Sequence, residues 1–356
     1  MLYLQNLLLG LLLTTLLTPL VIVLIKKLRL LDDPASHKHP GIIHKKPTPR
    51  GGGLALFLGA FTASLLSFPF SPVLSGIFFA SFLAMLTGLL DDYRNANGKD
   101  LSPYLRFFMN IVCAVIVVAV GVKIHFVTNP FGGILPLATP LLSLGFLTLS
   151  VADIVTIVWI VWVMNMLNWS KGVDGQMPGI VGISAIVIGL LSIRTSSNEF
   201  GLLDAHLSFI IAGVSLGFLL YNFYPAKIFP GYGATSLYLL LAVVSVLSSA
   251  KLATAVLVMG IPTVDAVFTI LRRLLSGKSP FWHDNKHLHH LLLRLGLGQR
   301  TIALSYWIFS AILGTISLTL ESKSKLFALI MLGVIAGGAL LFLHFILRKS
   351  DETVIT

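Results

Sequence analysis

The chain has 356 residues, of which 56% are hydrophobic and only 11% charged, with a mean hydropathy of +0.92. A soluble domain carries about 25% charged residues, so the composition excludes an ordinary soluble fold and implies an all-α polytopic membrane protein. The net charge of +11 fits membrane topology better than nucleic-acid binding, and the one cysteine, Cys113, excludes an intramolecular disulfide and a cysteine-based metal site.

Residues 2–25 are apolar for far longer than the 7–15 residues of a signal-peptide core and read as a first span. The loop DDPASHKHPGIIHKKPTPRGGG, residues 32–53, has no helical period, several prolines and three consecutive glycines. Spans follow at about 53–69 and 72–90, the second ending on Asp91 and Asp92, and then at 104–122. Residues 132–150 are apolar but carry Gly132, Gly133, Pro136, Pro140 and Gly145, which suit an outer hairpin or interfacial segment rather than a helix. Further spans are predicted at 152–170, 178–193, 207–222, 235–249, 252–271, 301–319 and 326–347, eleven in all. Residues 1–350 read as one membrane domain and 351–356 as a short tail.

Threading the spans alternately from an outside N-terminus puts twenty of the 25 Lys and Arg residues on the inner side. Lys123, Arg194, Lys251, Lys323 and Lys325 fall outside. This positive-inside bias orients the chain and leaves the C-terminus inside. It also puts the unusual polar clusters on the cytoplasmic face, which implies one composite site there.

Asp91 and Asp92 stand out. An Asp at the centre of a membrane helix costs roughly 2.5–3.5 kcal/mol, less near its end, and ionisable residues at membrane depth mark functional sites. A vicinal pair there suits a cation or a phosphate-handling site. Asn165 and Asn168, at i,i+3, share a helix face with Gly172 nearby, for interhelical hydrogen bonds or for a ligand. Asp265 suits pairing inside the bundle, although Arg272 lies two turns away. His287, His289 and His290, with His283 and Asp284 just before, suit a transition metal or an anionic phosphate. With no Cys nearby, phosphate binding or general acid/base work is favoured over zinc. The glycine turns Gly51-Gly52-Gly53 and Gly231-Tyr232-Gly233 sit at helix starts, where exposed backbone N–H groups bind anions or simply make tight turns.

Five motifs, in this order, resemble the polyprenyl-phosphate N-acetylhexosaminyl-1-phosphate transferases: HKKPTPRGGG (44–53), GLLDDY (88–93), NMLNWSKGVDG (165–175), NFYPAKIFPGYGAT (222–235) and SPFWHDNKHLHHLLLRLG (279–296). The last is closer to the branch using UDP-N-acetylglucosamine than to the branch using UDP-muramoyl-pentapeptide. The resemblance implies transfer of a sugar-1-phosphate from a UDP-amino sugar to undecaprenyl or another polyprenyl phosphate in the cytoplasmic (inner) membrane, with release of UMP. It implies Mg²⁺ as cofactor, with Mn²⁺ as an alternative, on Asp91, Asp92 and Asp174. His287, His289 and His290 join those aspartates as catalytic residues. Arg50, Asn165, Asn168, Lys171, Asn222, Phe229 and Gly231 bind substrate, Phe229 by stacking on uracil. Relatives of this family can dimerise, which leaves a homodimer open.

Two positions depart from the family pattern: Lys171 and Tyr232 stand where Asp is expected. A smaller departure is the insertion at 39–42, with His37 where Arg is usual. These changes put metal dependence in question and leave three alternatives: a divergent active transferase, a degenerate homologue that binds lipid phosphate or nucleotide sugar without turnover, and a transporter or lipid-binding protein. Retention of Asp91, Asp92, Asp174 and the histidine loop favours the first.

Overall fold

The computed structural model describes residues 1–34, 46–69, 71–129, 132–144, 147–195, 203–247, 252–282 and 284–355. His37, the insertion at 39–42 and His283 lie outside the described residues, as do the topological cations Lys38, Lys45 and Lys251. The chain is built from the helices α1 (Leu2–Lys27), α2 (Gly53–Ser67), α3 (Pro72–Ala96), α4 (Pro103–Ala119), α5 (Val151–Trp169), α6 (Gln176–Arg194) and α7 (Leu203–Asn222), then α8 (Thr235–Val246), α9 (Leu252–Val258), α10 (Gly260–Leu275), α11 (Leu288–Arg294), α12 (Gln299–Thr319) and α13 (Ser322–Ile355). A 3₁₀ turn, Tyr232–Ala234, leads into α8.

Helices stand at all eleven predicted span positions. Among the described residues α1, α3, α5, α6, α7, α12 and α13 are long and apolar enough to cross a membrane, and the α9–α10 pair makes up to eight. The remaining three, α2, α4 and Tyr232–Val246, are shorter apolar helices. The predicted single span at 252–271 is corrected: it breaks at Met259 into α9 and α10, bent by 83°. Pro262 cannot donate to the carbonyl of Val258 and so cannot continue the helix that precedes it.

Local chemistry sets the boundaries. Ser71 caps α3 by accepting from the Leu74 amide at 3.2 Å, with Pro72 in the first turn. Ser150 and Asp153 form a reciprocal capping box at the start of α5. The proline- and glycine-rich stretch before it is non-helical as expected. It forms antiparallel ribbons of β3 (Phe126–Thr128) with β4 (Ile134–Pro136) and of β5 (Pro140–Leu144) with β6 (Leu147–Ser150). Earlier, β1 (Leu31–Asp32) pairs with β2 (Thr48–Pro49), closing the first loop at its base.

α8 is the central rod, buried along its whole length and flanked by α3, α5 and α7. Lipid tails are as apolar as leucine, so such a bundle coheres through close packing and interhelical hydrogen bonds, the latter about 0.6 kcal/mol each on average. Trp159 Nε1 donates to Ser245 Oγ at 2.8 Å, tying α5 to α8, and Ser81 Oγ donates to the Ser236 carbonyl at 3.2 Å, tying α3 to α8.

Three glycines set the position of the site. A Cβ on Gly53 would lie 2.1 Å from the Gly233 carbonyl carbon, and one on Gly88 would lie 2.2 Å from Gly233 Cα. The backbones of α2, α3 and the 3₁₀ turn therefore meet without side chains between them, which brings the end of α3 against residues 231–232.

Candidate active site

A cavity of about 360 Å³ opens where α3, α5, α7 and α10 end. Its lining draws on four of the five predicted motif segments: Arg50 from the first, Asn165, Asn168, Lys171 and Asp174 from the third, Asn222, Phe229 and Gly231 from the fourth, and His287 from the fifth. The second segment, with Asp91 and Asp92, stands directly behind the wall.

Both aspartates are sealed, at 1% and 0% exposure, and neither lines the cavity. Asp92 Oδ1 accepts from Arg50 Nε at 2.9 Å and from the Tyr232 amide at 3.0 Å. Its Oδ2 has no hydrogen-bond partner among the described residues and packs against Gly231, where a Cβ would lie 2.1 Å away. Asp91 takes Arg106 Nη1 at 3.2–3.3 Å on both oxygens and the Leu101 amide at 3.3 Å. The pair thus holds two arginines that themselves line the cavity. Arg50 is further fixed by Asp32 and Asn95, each at 3.0 Å.

The third motif behaves as its spacing predicts, for Asn165, Asn168 and Gly172 all line the cavity. Asn165 Nδ2 donates back to the Val161 carbonyl at 2.8 Å, while Asn168 Oδ1 is buried without a partner. Lys171 Nζ donates to the Gly231 carbonyl at 2.7 Å and lies 5.7 Å from the centre of the Tyr232 ring. Burial, reinforced by Arg50, lowers the Lys171 ammonium to about 7 against the opposing pull of Asp92 and Asp91. Asp174 Oδ2 accepts from the Ala226 amide at 2.9 Å. Asn222 both lines the cavity and braces it, accepting from the Gly175 amide at 3.1 Å and donating to the Ile228 carbonyl at 2.8 Å.

The opposite wall comes from α10 and the histidine loop. Asp265 does not pair with Arg272. Its Oδ2 meets His287 Nδ1 at 2.9 Å, and its Oδ1 accepts from the Leu288 amide at 2.9 Å. Arg272 and Arg273 clamp Asp284 Oδ2 at 2.9 and 3.0 Å. Burial would raise the Asp284 carboxyl, but Arg273 and Arg272 hold it down at about 2. Of the three histidines expected at phosphates, only His287 lines the cavity. His289 is buried behind Gly172, where a Cβ would lie 1.8 Å from its Nε2, and its ring centroid is 4.1 Å from that of His290. Burial first, then His290 and His287, hold His289 well below the ordinary histidine range, so it is a neutral packing residue.

Two expectations are corrected by this geometry. The glycine turns do not form backbone anion cradles: Gly51 and Gly52 donate to the Phe229 carbonyl, Gly53 to Pro230, and the Tyr232 amide to Asp92. Asp91, Asp92 and Asp174 do not meet as a metal ligand set. Each is engaged by cations or backbone amides, and no three His, Cys, Asp or Glu side chains among the described residues gather closely enough to hold a metal ion. The residues present therefore do not fit the Mg²⁺ that the resemblance implies.

The sequence reading gave no ligand role to Asp32, Arg106, Arg273, Asp284, Trp169 or Tyr232, all of which line the cavity. The available signal was position: all but Arg106 lie within, or next to, a cluster already singled out.

A helical membrane bundle with a cavity at one end, lined by four cations and four aspartates, defines a membrane protein with a charge-lined site, and comparison with known proteins gives the family. The model of glycosyl transferase family 4 matches residues 74–249. A probable undecaprenyl-phosphate N-acetylglucosaminyl 1-phosphate transferase of Bacillus subtilis is 30% identical over 324 residues, covering 88% of this chain and 84% of the relative. A decaprenyl-phosphate N-acetylglucosaminephosphotransferase of Mycobacterium tuberculosis is 29% identical over 347 residues, 87% and 81% of the two chains. An undecaprenyl-phosphate alpha-N-acetylglucosaminyl 1-phosphate transferase of Haemophilus influenzae is 29% identical over 302 residues, 81% and 79%. The chain belongs to glycosyl transferase family 4, the superfamily of polyprenyl-phosphate N-acetylhexosaminyl-1-phosphate transferases.

Proposed function

We propose that the protein transfers N-acetylglucosamine-1-phosphate from UDP-N-acetylglucosamine to a polyprenyl phosphate, undecaprenyl phosphate in particular, and releases UMP. The observation that carries this is the convergence of four chain-distant motif segments on one cavity, with the fifth holding two of its arginines from behind. The names of the relatives support the same transferred group and the same class of acceptor.

The chemistry is an in-line exchange. A lipid-phosphate oxygen attacks the β-phosphorus, and the bond from that phosphorus to the bridging oxygen breaks. The electron pair leaves with UMP, and the lipid keeps the new diphosphate. A phosphate monoester has a second pKa near 6, so the nucleophile is already largely dianionic at neutral pH and needs little general-base help. The protein supplies position and charge. Arg50, Arg106, Lys171 and Arg273 face the phosphates, and Phe229 offers an aromatic face for uracil. His287, with Nδ1 on Asp265, keeps Nε2 for a phosphate oxygen.

In this reading the chain crosses the cytoplasmic (inner) membrane eleven times from an outside N-terminus, with the cavity on the cytoplasmic side. The ends of α3, α5, α7 and α10 share one end of the bundle, and the positive-inside bias supports that orientation. The test is incubation of the purified chain in lipid nanodiscs with radiolabelled UDP-N-acetylglucosamine and undecaprenyl phosphate. Solvent-extractable labelled lipid and stoichiometric UMP are expected. Hydrolysis to free sugar phosphate, or no reaction, rejects the assignment.

A further inference from the structure

Four cations line the cavity: Arg50, Arg106, Lys171 and Arg273. Three are already matched by carboxylates. Arg50 is bound by Asp32 and Asp92, Arg106 by Asp91, and Arg273 by Asp284. Lys171 is the exception. Its one hydrogen bond among the described residues goes to a backbone carbonyl, and it joins no ion pair among them. An ammonium has three donors, so two N–H groups remain for a ligand in the cavity.

The support around Lys171 is continuous with the sealed wall. Gly231, whose carbonyl it holds, has φ +66° and packs against Asp92, while the next amide, of Tyr232, donates to Asp92. Asp92 therefore fixes the backbone that fixes Lys171. The Tyr232 ring lies 5.2 Å from the Arg106 guanidinium carbon as well as 5.7 Å from Lys171 Nζ. The negative face of an aromatic ring attracts such cations, and Asn110 Nδ2 holds the phenol in place at 3.2 Å. The carboxylates lining the cavity offer no substitute centre. Asp32 and Asp284 are bound by arginines, Asp100 accepts from Asn95 at 2.6 Å, and Asp174 accepts from Ala226.

From this arrangement, and resting on the transferase reading above, we infer that Lys171 is the phosphate-anchoring cation and that the donor diphosphate is held by fixed side-chain charge rather than by a divalent metal. Lys171 is a compact point charge on a restrained stem. It supplies the positive charge that a divalent ion would supply if one were bound.

The test uses the full chain in nanodiscs and titrates UDP-N-acetylglucosamine by calorimetry, once in EDTA and once in excess Mg²⁺. Equal affinity in both, to within about twofold, is expected, because no metal joins the complex. Lys171→Gln should weaken donor binding roughly ten- to a hundredfold in EDTA, the effect of losing charge-assisted hydrogen bonds, while Lys171→Arg retains it. The wild-type arms need no variant, so a misfolded Lys171→Gln leaves the inference testable. Donor binding that vanishes in EDTA and returns with Mg²⁺ overturns it, as does a protein-bound Mn²⁺ signal by electron paramagnetic resonance in the presence of donor. No donor binding under either condition overturns it too. Turnover separates the two readings. Lipid product formed only with Mg²⁺ rejects the inference and leaves the transferase standing. Lys171-dependent binding in EDTA with no lipid product under any condition rejects the transferase and leaves the anchoring role standing.

Discussion

The two walls of the cavity use charge in opposite orders. In the wall made by α3, α4 and the Gly231 turn, acids stand behind and cations stand in front: Asp91 and Asp92 are sealed, and the arginines they hold line the cavity. In the wall made by α10 and the histidine loop, Asp284 itself lines the cavity between two arginines, and Asp265 stands behind a histidine. The first wall presents fixed positive charge. The second presents a hydrogen-bonding ring and Arg273 together with the acid that it and Arg272 neutralise. A charge buried at the end of a span is therefore informative about what it positions, and less about what it touches.

The contrast is broken most severely at Asp92. Asp92→Ala strands the Tyr232 amide and leaves Arg50 to Asp32 and Asn95 alone, and removing one partner of a buried pair costs up to about 3–5 kcal/mol. A large drop in thermal unfolding temperature with loss of turnover is expected. Unchanged stability and turnover would remove the structural role given to the first wall.

Gly231→Ala comes next. Its φ of +66° and ψ of −171° fall in a region essentially reserved for glycine, costing roughly 1–3 kcal/mol for other residues, and the new methyl would meet Asp92 Oδ2. Donor affinity should fall with overall folding retained, as read by calorimetry alongside circular dichroism.

On the second wall, Asp265→Asn keeps an acceptor for the Leu288 amide but removes the charge facing His287. It should lower kcat on the order of a hundredfold, by weakening the His287 hydrogen bond to a phosphate oxygen as charge develops there, and leave KM for the donor nearly unchanged. An effect on KM alone would move His287 from chemistry to binding.

Milder is the pH dependence of donor affinity. Burial and Arg50 lower the Lys171 pKa to about 7, and Asp92, Asp91 and Arg106 also act on it. The free chain therefore loses the ammonium proton as pH rises through 7, and a dianionic donor must then bind with uptake of a proton. Affinity should fall by up to about tenfold per pH unit above 7, with a flat profile in Lys171→Arg.

The smallest effect belongs to Asp284. Its carboxyl sits near 2 rather than at the ordinary 3.8. The stability it contributes is present above 3.8 and is lost as pH falls towards 2. Asp284→Asn should remove that share of acid sensitivity in thermal melts and lower neutral-pH stability by the same share.

Much of this was legible from local chemistry. Apolar runs marked the helices, and Gly and Pro marked the non-helical segment at 132–150. The i,i+3 asparagines did share a cavity-lining face. What escaped the sequence was pairing across long separations, because hydropathy patterns say nothing about which end of which helix meets another. Arg50 meets Asp92 and His287 meets Asp265 only once the bundle is folded. The glycine turns misled for a related reason: a free amide and one already taken by Phe229 or Asp92 look the same in a sequence. The break at Met259 was hidden because apolar composition alone does not distinguish a straight helix from a bent one.

The meeting of Gly53, Gly88 and Gly233 has a consequence for how the cavity can move. With bare backbones in contact, there are no side chains there to change rotamer or to slide past one another. The first wall is then a fixed anvil, unable to widen without parting three segments of main chain. Any breathing that admits two bulky substrates and lets UMP depart has to come from the other side, where α10 begins at a sharp bend and short loops carry His287 and Asp284.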